Sequence, residues 1–330
     1  MPALSLIIPA KDAAPYLPTM FASLHRQGPV LETTQIIFID DGSADATPQL
    51  LAEHGARLPH FEVIRNETAR GLANGRNQGI AAARGRYIAF LDGDDWLAPG
   101  HLSAMVEAIE GLGVDFVRTD HVQVEASGKR VLRRAPMAVR DAVLDPRLGI
   151  LPVHDSTMVD YPFAWAGIFD ARLAERGLLQ FPADFMTAED RSWIWGLHLG
   201  ADSFAVVDSP GIRYRRGLPS SLSQVVDARQ LQFCDAFAAI FALVTADAQA
   251  ERFWAKAARN WLAILHHQTQ RFAAGSPVAL RREFARRARA VSAPLPPATV
   301  HEVFAAAPRK RQAAVLPFLP ERRALLARSF

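Results

Sequence analysis

Asp92, Gly93, Asp94 and Asp95 place three carboxylates within four positions, directly after the apolar run Tyr87 to Leu91. Carboxylates this close repel one another and call for a cation or for hydrogen-bond donors from elsewhere. If extended geometry persists, Asp92 and Asp94 point the same way and offer paired oxygens to a hard divalent ion. Gly93 removes a side chain where the backbone must approach something closely. Two further acidic pairs stand apart in the chain, Asp40-Asp41 and Glu189-Asp190. Taken alone, Asp92–Asp95 also reads as a solvated acidic turn.

The elements that position these acids follow from the spacing of apolar residues. Leu4–Pro9, Gln35–Ile39, Phe61–Arg65, Tyr87–Leu91 and Val114–Arg118 read as strands. Ala13–Gln27, Asn74–Ala83 and Leu102–Leu112 read as helices, and so does the segment after Asp45 or Thr47, either of which can cap it ahead of Pro48. Strands alternating with helices predict an α/β unit with a mainly parallel sheet, whose ligands collect at the carboxyl ends of the strands. Pro9-Ala10, Asp40-Asp41 and Asp92-Gly93-Asp94 all fall at that edge. Between Val122 and Pro162 the pattern weakens. Thr187 reads as the cap of a helix through Trp193–Leu199, which places Glu189-Asp190 at its start. Ala205–Val207 and Ile212–Arg215 read as short strands around Pro210-Gly211. From residue 226 the texture changes to Ala-rich helices, expected at Ala228–Thr245, Glu251–Phe272, Val278–Ala290, Thr299–Ala307 and Pro308–Ala327. That change predicts a division into 1–225 and an all-α C-terminal appendage, 226–330.

Half of the 330 residues are hydrophobic and 22% are charged, which indicates a folded chain with a sizeable core. The single cysteine, Cys234, rules out an internal disulfide and a thiolate metal cluster. No basic, then apolar, leader opens the sequence, and no apolar run reaches the roughly 18–20 residues of a membrane span. The expectation is a cytoplasmic protein. The formal net charge of +3 conceals an asymmetry: from Glu251 onward there are fifteen Lys/Arg against four Glu, so the first 250 residues are net acidic.

The ordered motifs Leu4–Ala10, Ile39–Thr47, Gly71–Ile80, Phe90–Asp95 and Glu189-Asp190 together resemble the inverting glycosyltransferases of family 2. The resemblance covers about residues 3–225 and implies the GT-A fold, Rossmann-like, with a nucleotide half of about 1–120 and an acceptor half of about 121–225. It implies that Pro9 and Ala10 cradle the nucleotide base, and that Asp41 accepts from uracil N3–H, an imide preference that an unpaired buried carboxylate would enforce. Asn66 and Arg76 would line the base and diphosphate side. Asp92, beside Gly93, would reach the ribose or a metal-bound water, and Asp94 would hold Mn2+ or Mg2+ across the phosphates. Asp190 would take the proton of the acceptor hydroxyl while Glu189 holds the acceptor or the base in place. Arg216 and Ser221 belong to a segment resembling the family's loop over the diphosphate, and Trp165 stands where the family forms an acceptor wall. The resemblance implies a UDP-linked donor and a glycan, lipid-linked or polymer acceptor, as in bacterial surface polysaccharide synthesis.

Each of these residues has a plainer reading: Asp41 as a turn cap, Arg76 as a helix-surface arginine, Glu189-Asp190 as helix-start acids, Trp165 as core under a helix at Ala171–Arg176. A Mg-dependent phosphotransferase would use Asp92 as nucleophile, but Lys129 is the only lysine between Lys11 and Lys256 and has no matching motif around it. A non-catalytic sugar- or nucleotide-binding module on the same fold is the other alternative; the intact set Asp41, Asp92, Asp94 and Asp190 argues against it. The basic helices can lie on the inner face of the plasma membrane, pair in a homo-oligomer, or be solvated. Nucleic acid is not expected, because the charge lacks interleaved aromatic platforms.

Overall fold

The computed structural model describes residues 2–218, 227–272, 276–320 and 325. Its strands are β1 (Leu4–Ala10), β2 (Thr34–Asp40), β3 (Phe61–Arg65), β4 (Tyr87–Phe90), β5 (Trp96–Leu97), β6 (Phe116–Glu125), β7 (Arg130–Arg133), β8 (Gly167–Asp170) and β9 (Phe204–Arg216). They form one mixed sheet in the order β3-β2-β1-β4-β8-β6-β9-β5, with β7 paired to β6. The first four strands are parallel; β8 then runs antiparallel to both β4 and β6. β1, β2 and β4 are almost wholly buried, as central strands covered on both faces must be. Register places Ala10 beside Asp40, and Ile7 beside Phe90. The carboxyl ends of β1, β2 and β4 therefore share one rim.

Helices α1 (Leu17–Leu24), α2 (Thr47–Gly55), α3 (Leu72–Ala82), α4 (His101–Leu112), α5 (Arg172–Glu175) and α6 (Glu189–Gly200) belong to the α/β part. α3 lies unusually close to β1. A Cβ on Gly79 would sit 2.2 Å from Ile7 Cγ2, and one on Gly75 would sit 3.2 Å from Pro9 Cβ. The two glycines, one turn apart, bring the helix down onto the strand that ends in Pro9-Ala10.

Several local readings are corrected. Of the two expected caps of α2 it is Asp45 that serves: its Oδ1 accepts from Thr47 N, the first residue of the helix, at 2.9 Å, while its Oδ2 accepts from Ala14 N and Thr47 Oγ1 from Ala13 N, so both also hold the loop after β1. Thr187 is not the α6 cap, which is Ala188 at φ 62; the Thr187 hydroxyl donates to Arg229 O instead. Ala205–Val207 and Ile212–Arg215 are parts of one 13-residue strand, β9, with a register shift opposite Thr119/His121. That irregularity accommodates Pro210, and the missing side chain of Gly211 leaves room for the His101 ring.

The helical region comprises α7 (Gln232–Ala246), α8 (Ala250–Arg271), α9 (Val278–Ser292), α10 (Pro297–Ala305) and α11 (Arg309–Val315) among the described residues. The expected helix over Pro308–Ala327 is shorter: α11 ends at Val315 and a 3-10 turn follows at Leu316–Phe318. α7 packs on α6, and the buried apolar cluster runs from the sheet into α7–α11 without a break. Phe233, Phe237 and Trp261 are at most 1% exposed, each contributing about 1.5–3 kcal/mol by burial. Solvent-screened pairs such as Arg286–Glu283 add little. Apolar packing, not surface charge, holds these helices to the sheet.

Candidate active site

Arg76 organises the rim. It leaves α3 beside β1 and is 3% exposed, not the helix-surface arginine that its spacing also allows. Its Nη1 donates to Glu189 Oε1 at 3.0 Å and its Nη2 to Asp92 Oδ1 at 3.1 Å. The guanidinium lies 5.1 Å from the centroid of the Phe181 ring. Burial opposes its charge, but Asp92, Glu189 and Asp190 outweigh that and hold its pKa above the ordinary arginine range. One side chain thus joins two acidic motifs that are distant in sequence.

Asp190 follows Glu189 in the first turn of α6. Its own backbone N–H is the hydrogen-bond donor facing its carboxylate. Burial, reinforced by Glu189, pushes it up to about 7, against Arg191 and Arg76. An upward shift toward neutral pH is the behaviour wanted in a general base.

On the opposite side, Asp41 accepts from Asn66 Nδ2, Arg70 N and Gly71 N, each at 2.8 Å. A carboxylate has about four acceptor positions, so one remains. Asn66 is fixed in turn by a reciprocal amide pair with Gln78, a partner that sequence reasoning did not single out. Gly93 N donates to Pro9 O at 3.3 Å, and a Cβ on Gly93 would meet Ala10 Cβ at 2.4 Å. The acidic turn can press this closely on Pro9-Ala10 only as glycine.

Burial first, and Asp92 second, raise Asp94 to about 6, against its own backbone N–H and the charge of Arg215. Asp92 keeps one oxygen beyond the bond to Arg76. Two neighbouring carboxylates that keep oxygens free of side-chain donors suit Mn2+ or Mg2+, which take one or two protein carboxylates and complete their shell with phosphate and water. Among the described residues no group of three or more His, Cys, Asp or Glu gathers into a self-sufficient metal cage.

Asp95, for which the sequence suggests no role, is 1% exposed and accepts from Arg215 N at 2.7 Å. Arg215 donates from Nε to Asp94 O at 3.0 Å and lies between the rings of Tyr16 and Trp96, 5.1 and 4.7 Å from their centroids. The ordered arginine at the end of β9 is thus Arg215. Arg216, the residue favoured from sequence, is exposed and, among the described residues, lies 5.7 Å from the Tyr214 ring centroid and hydrogen-bonds the Tyr214 side chain. Ser221 lies outside the described residues. Trp165 is 3% exposed, stacked on Phe163 at 4.7 Å and edge-on to His121. It has no free face for a sugar, which corrects the acceptor-wall expectation; a buried indole and an exposed one share the same sequence signature.

Residues 5–171 match the family model described as Glycosyl transferase family 2. EpsH of Bacillus subtilis (strain 168) is 31% identical over 222 residues, 66% of this chain and 62% of EpsH. The succinoglycan biosynthesis protein ExoO of Rhizobium meliloti (strain 1021) is 33% identical over 162 residues, 48% of this chain and 45% of ExoO. The chain therefore spans less than two thirds of the length of these curated relatives. The structure of S. aureus TarS 1-349 in complex with UDP-GlcNAc superposes with a TM-score of 0.78 at 18% identity, covering 100% of this chain and 88% of that one. The likeness extends through the C-terminal helices and shows a shared GT-A-type fold.

Proposed function

The chain belongs to glycosyl transferase family 2, and from that premise we propose that it moves a sugar from a UDP-linked donor to a hydroxyl acceptor with inversion. The main support is the Arg76 bridge, which sets the acid beside the proposed base and the acid of the donor rim on one guanidinium. The UDP-GlcNAc bound by TarS supports a UDP-sugar, and the role named for ExoO supports polysaccharide assembly. In this reading residues 1–120 form the donor half, 121–225 the acceptor half and 226–330 a helical domain.

Each residue has a distinct task. The free acceptor position of Asp41 takes uracil N3–H, with Asn66 holding the carboxylate in place and the Pro9-Ala10 backbone against the base. Asp190 removes the acceptor hydroxyl proton as that oxygen bonds to the anomeric carbon. The bond from that carbon to the diphosphate oxygen breaks, its electron pair leaves with UDP, and attack from the opposite face inverts the centre. Mn2+ or Mg2+ held by Asp94, with Asp92 beside it, would neutralise charge on the departing diphosphate. Arg215, pinned by Asp95, adds fixed positive charge at the same rim.

A screen of nucleotide sugars with Mn2+, read as UDP release, tests this. Activity is expected with a UDP-sugar, to be lost in EDTA, and to fall at least about 100-fold in Asp94→Ala, as loss of Lewis-acid stabilisation worth several kcal/mol implies. Full activity in EDTA would remove the metal from the scheme. Metal-dependent UDP binding without release from any donor would favour a binding module.

A further inference from the structure

Gln232, the first residue of α7, grips the segment that carries the acids Glu189 and Asp190. Its Oε1 accepts from Met186 N at 2.6 Å and Thr187 N at 3.2 Å, while its Nε2 donates to Asp184 O at 2.8 Å. Two N–H groups facing Oε1 and a carbonyl facing Nε2 fix the orientation of the amide unambiguously. Three residues before α7, in the 3-10 turn Ala228–Leu231, a second contact is made by Thr187 Oγ1 donating to Arg229 O at 2.8 Å.

The other side of this segment rests on α3. Asn74 Nδ2 donates to Ala183 O at 2.7 Å, and Asn77 exchanges two bonds with Phe181, at 2.8 and 2.9 Å. Met186 Sδ fills the space beside Gly71, where a Cβ would lie 2.9 Å away. The segment ends at Ala188, held at φ 62, a left-handed conformation that a β-carbon disfavours by about 1 kcal/mol or more. Such a conformation persists only where its surroundings over-determine it. Here they do so from both sides, and Glu189 and Asp190 follow directly.

We propose that Gln232 is a positioning residue for the reaction: the helical region, chiefly through this amide, sets the placement of Asp190 relative to the donor rim. The proposal rests on the glycosyl-transfer reading above. It gives the C-terminal helices a part in the chemistry separate from oligomer or membrane contact.

The test uses the full chain, with Gln232→Leu to remove all three bonds at similar size and Gln232→Glu to restore the acceptor atom facing Met186 and Thr187. Gln232→Leu is expected to lower kcat about 10- to 100-fold, as misplacement by about 1 Å does, with the donor KM and UDP affinity unchanged. Amide hydrogen exchange should rise at 184–190 and nowhere else. Gln232→Glu should recover part of both. Unchanged kcat and exchange in Gln232→Leu would overturn the proposal, as would a uniform rise in exchange with loss of UDP binding. A wild-type chain that releases no UDP would defeat the glycosyl-transfer reading instead; the exchange pattern would still decide whether Gln232 holds the segment.

Discussion

Asp190→Asn should lower kcat about 100- to 10,000-fold while UDP affinity stays within a factor of about two. The substitution keeps the volume of the side chain and removes its ability to take a proton. The wild-type pH profile follows from the upward shift of this carboxyl to about 7. Only the deprotonated form accepts a proton, so kcat/KM should rise with pH and level off above about 7. An ordinary aspartate would give its limb near pH 4. Stability supplies the control. A carboxyl whose native pKa exceeds its unfolded value stabilises the fold only when protonated, so wild-type stability is lost progressively between about pH 4 and 7. Above that range Asp190→Asn should unfold no earlier than wild type, so lost activity cannot be ascribed to lost structure. Retention of a tenth of the wild-type rate would remove Asp190 from the role of base.

Arg76→Met is expected to cost about 3–5 kcal/mol of stability at pH 8, the usual penalty for stranding a buried charge partner. The arginine side chain is 4% exposed, and those of Glu189 and Asp92 are 9% and 22% exposed. Without the guanidinium, Glu189, Asp92 and neighbouring Asp190 lose the cation they share. Protonation of Asp190, whose carboxyl burial and Glu189 already push up to about 7, relieves part of the repulsion, so the deficit should shrink as the pH is lowered toward 5. Denaturant unfolding at the two pH values measures it. Arg76→Lys keeps the charge but not the fork that reaches both acids, and should restore stability only in part. A deficit independent of pH would show that packing on Phe181, and not charge, is what Arg76 supplies.

The parts of this site that could be read from sequence are those set by local pattern. Apolar runs ending in polar residues locate β1, β2 and β4, and parallel pairing brings their ends to one rim with Asp41 and Asp92–Asp95 upon it. What escaped depends on contacts between distant segments. Arg76 has the spacing of either a surface or a buried helix residue, and only the arrival of Glu189 decides which. Trp165 and Thr187 carry side chains suited to a sugar wall and a cap, but tertiary neighbours claim both. Asp95 and Arg215 find each other across 120 positions, with no local feature to announce the pair. Pro210-Gly211 looks like a strand break, yet β9 continues through it because a register shift absorbs the proline and His101 occupies the space above the glycine. Gln232 is one amide among many until its three backbone partners are in view.

The bond from Arg76 to Glu189 spans 113 positions. During synthesis at about 5–20 residues per second, the arginine waits roughly 6–20 seconds for that acid to emerge. Asp92 is made soon after Arg76 and can neutralise it in the interval. A nascent chain therefore carries Asp41, Arg76 and Asp92–Asp95 well before Glu189 and Asp190 are made. In the glycosyl-transfer reading, the residues proposed to take the nucleotide are synthesised first and the proposed base last.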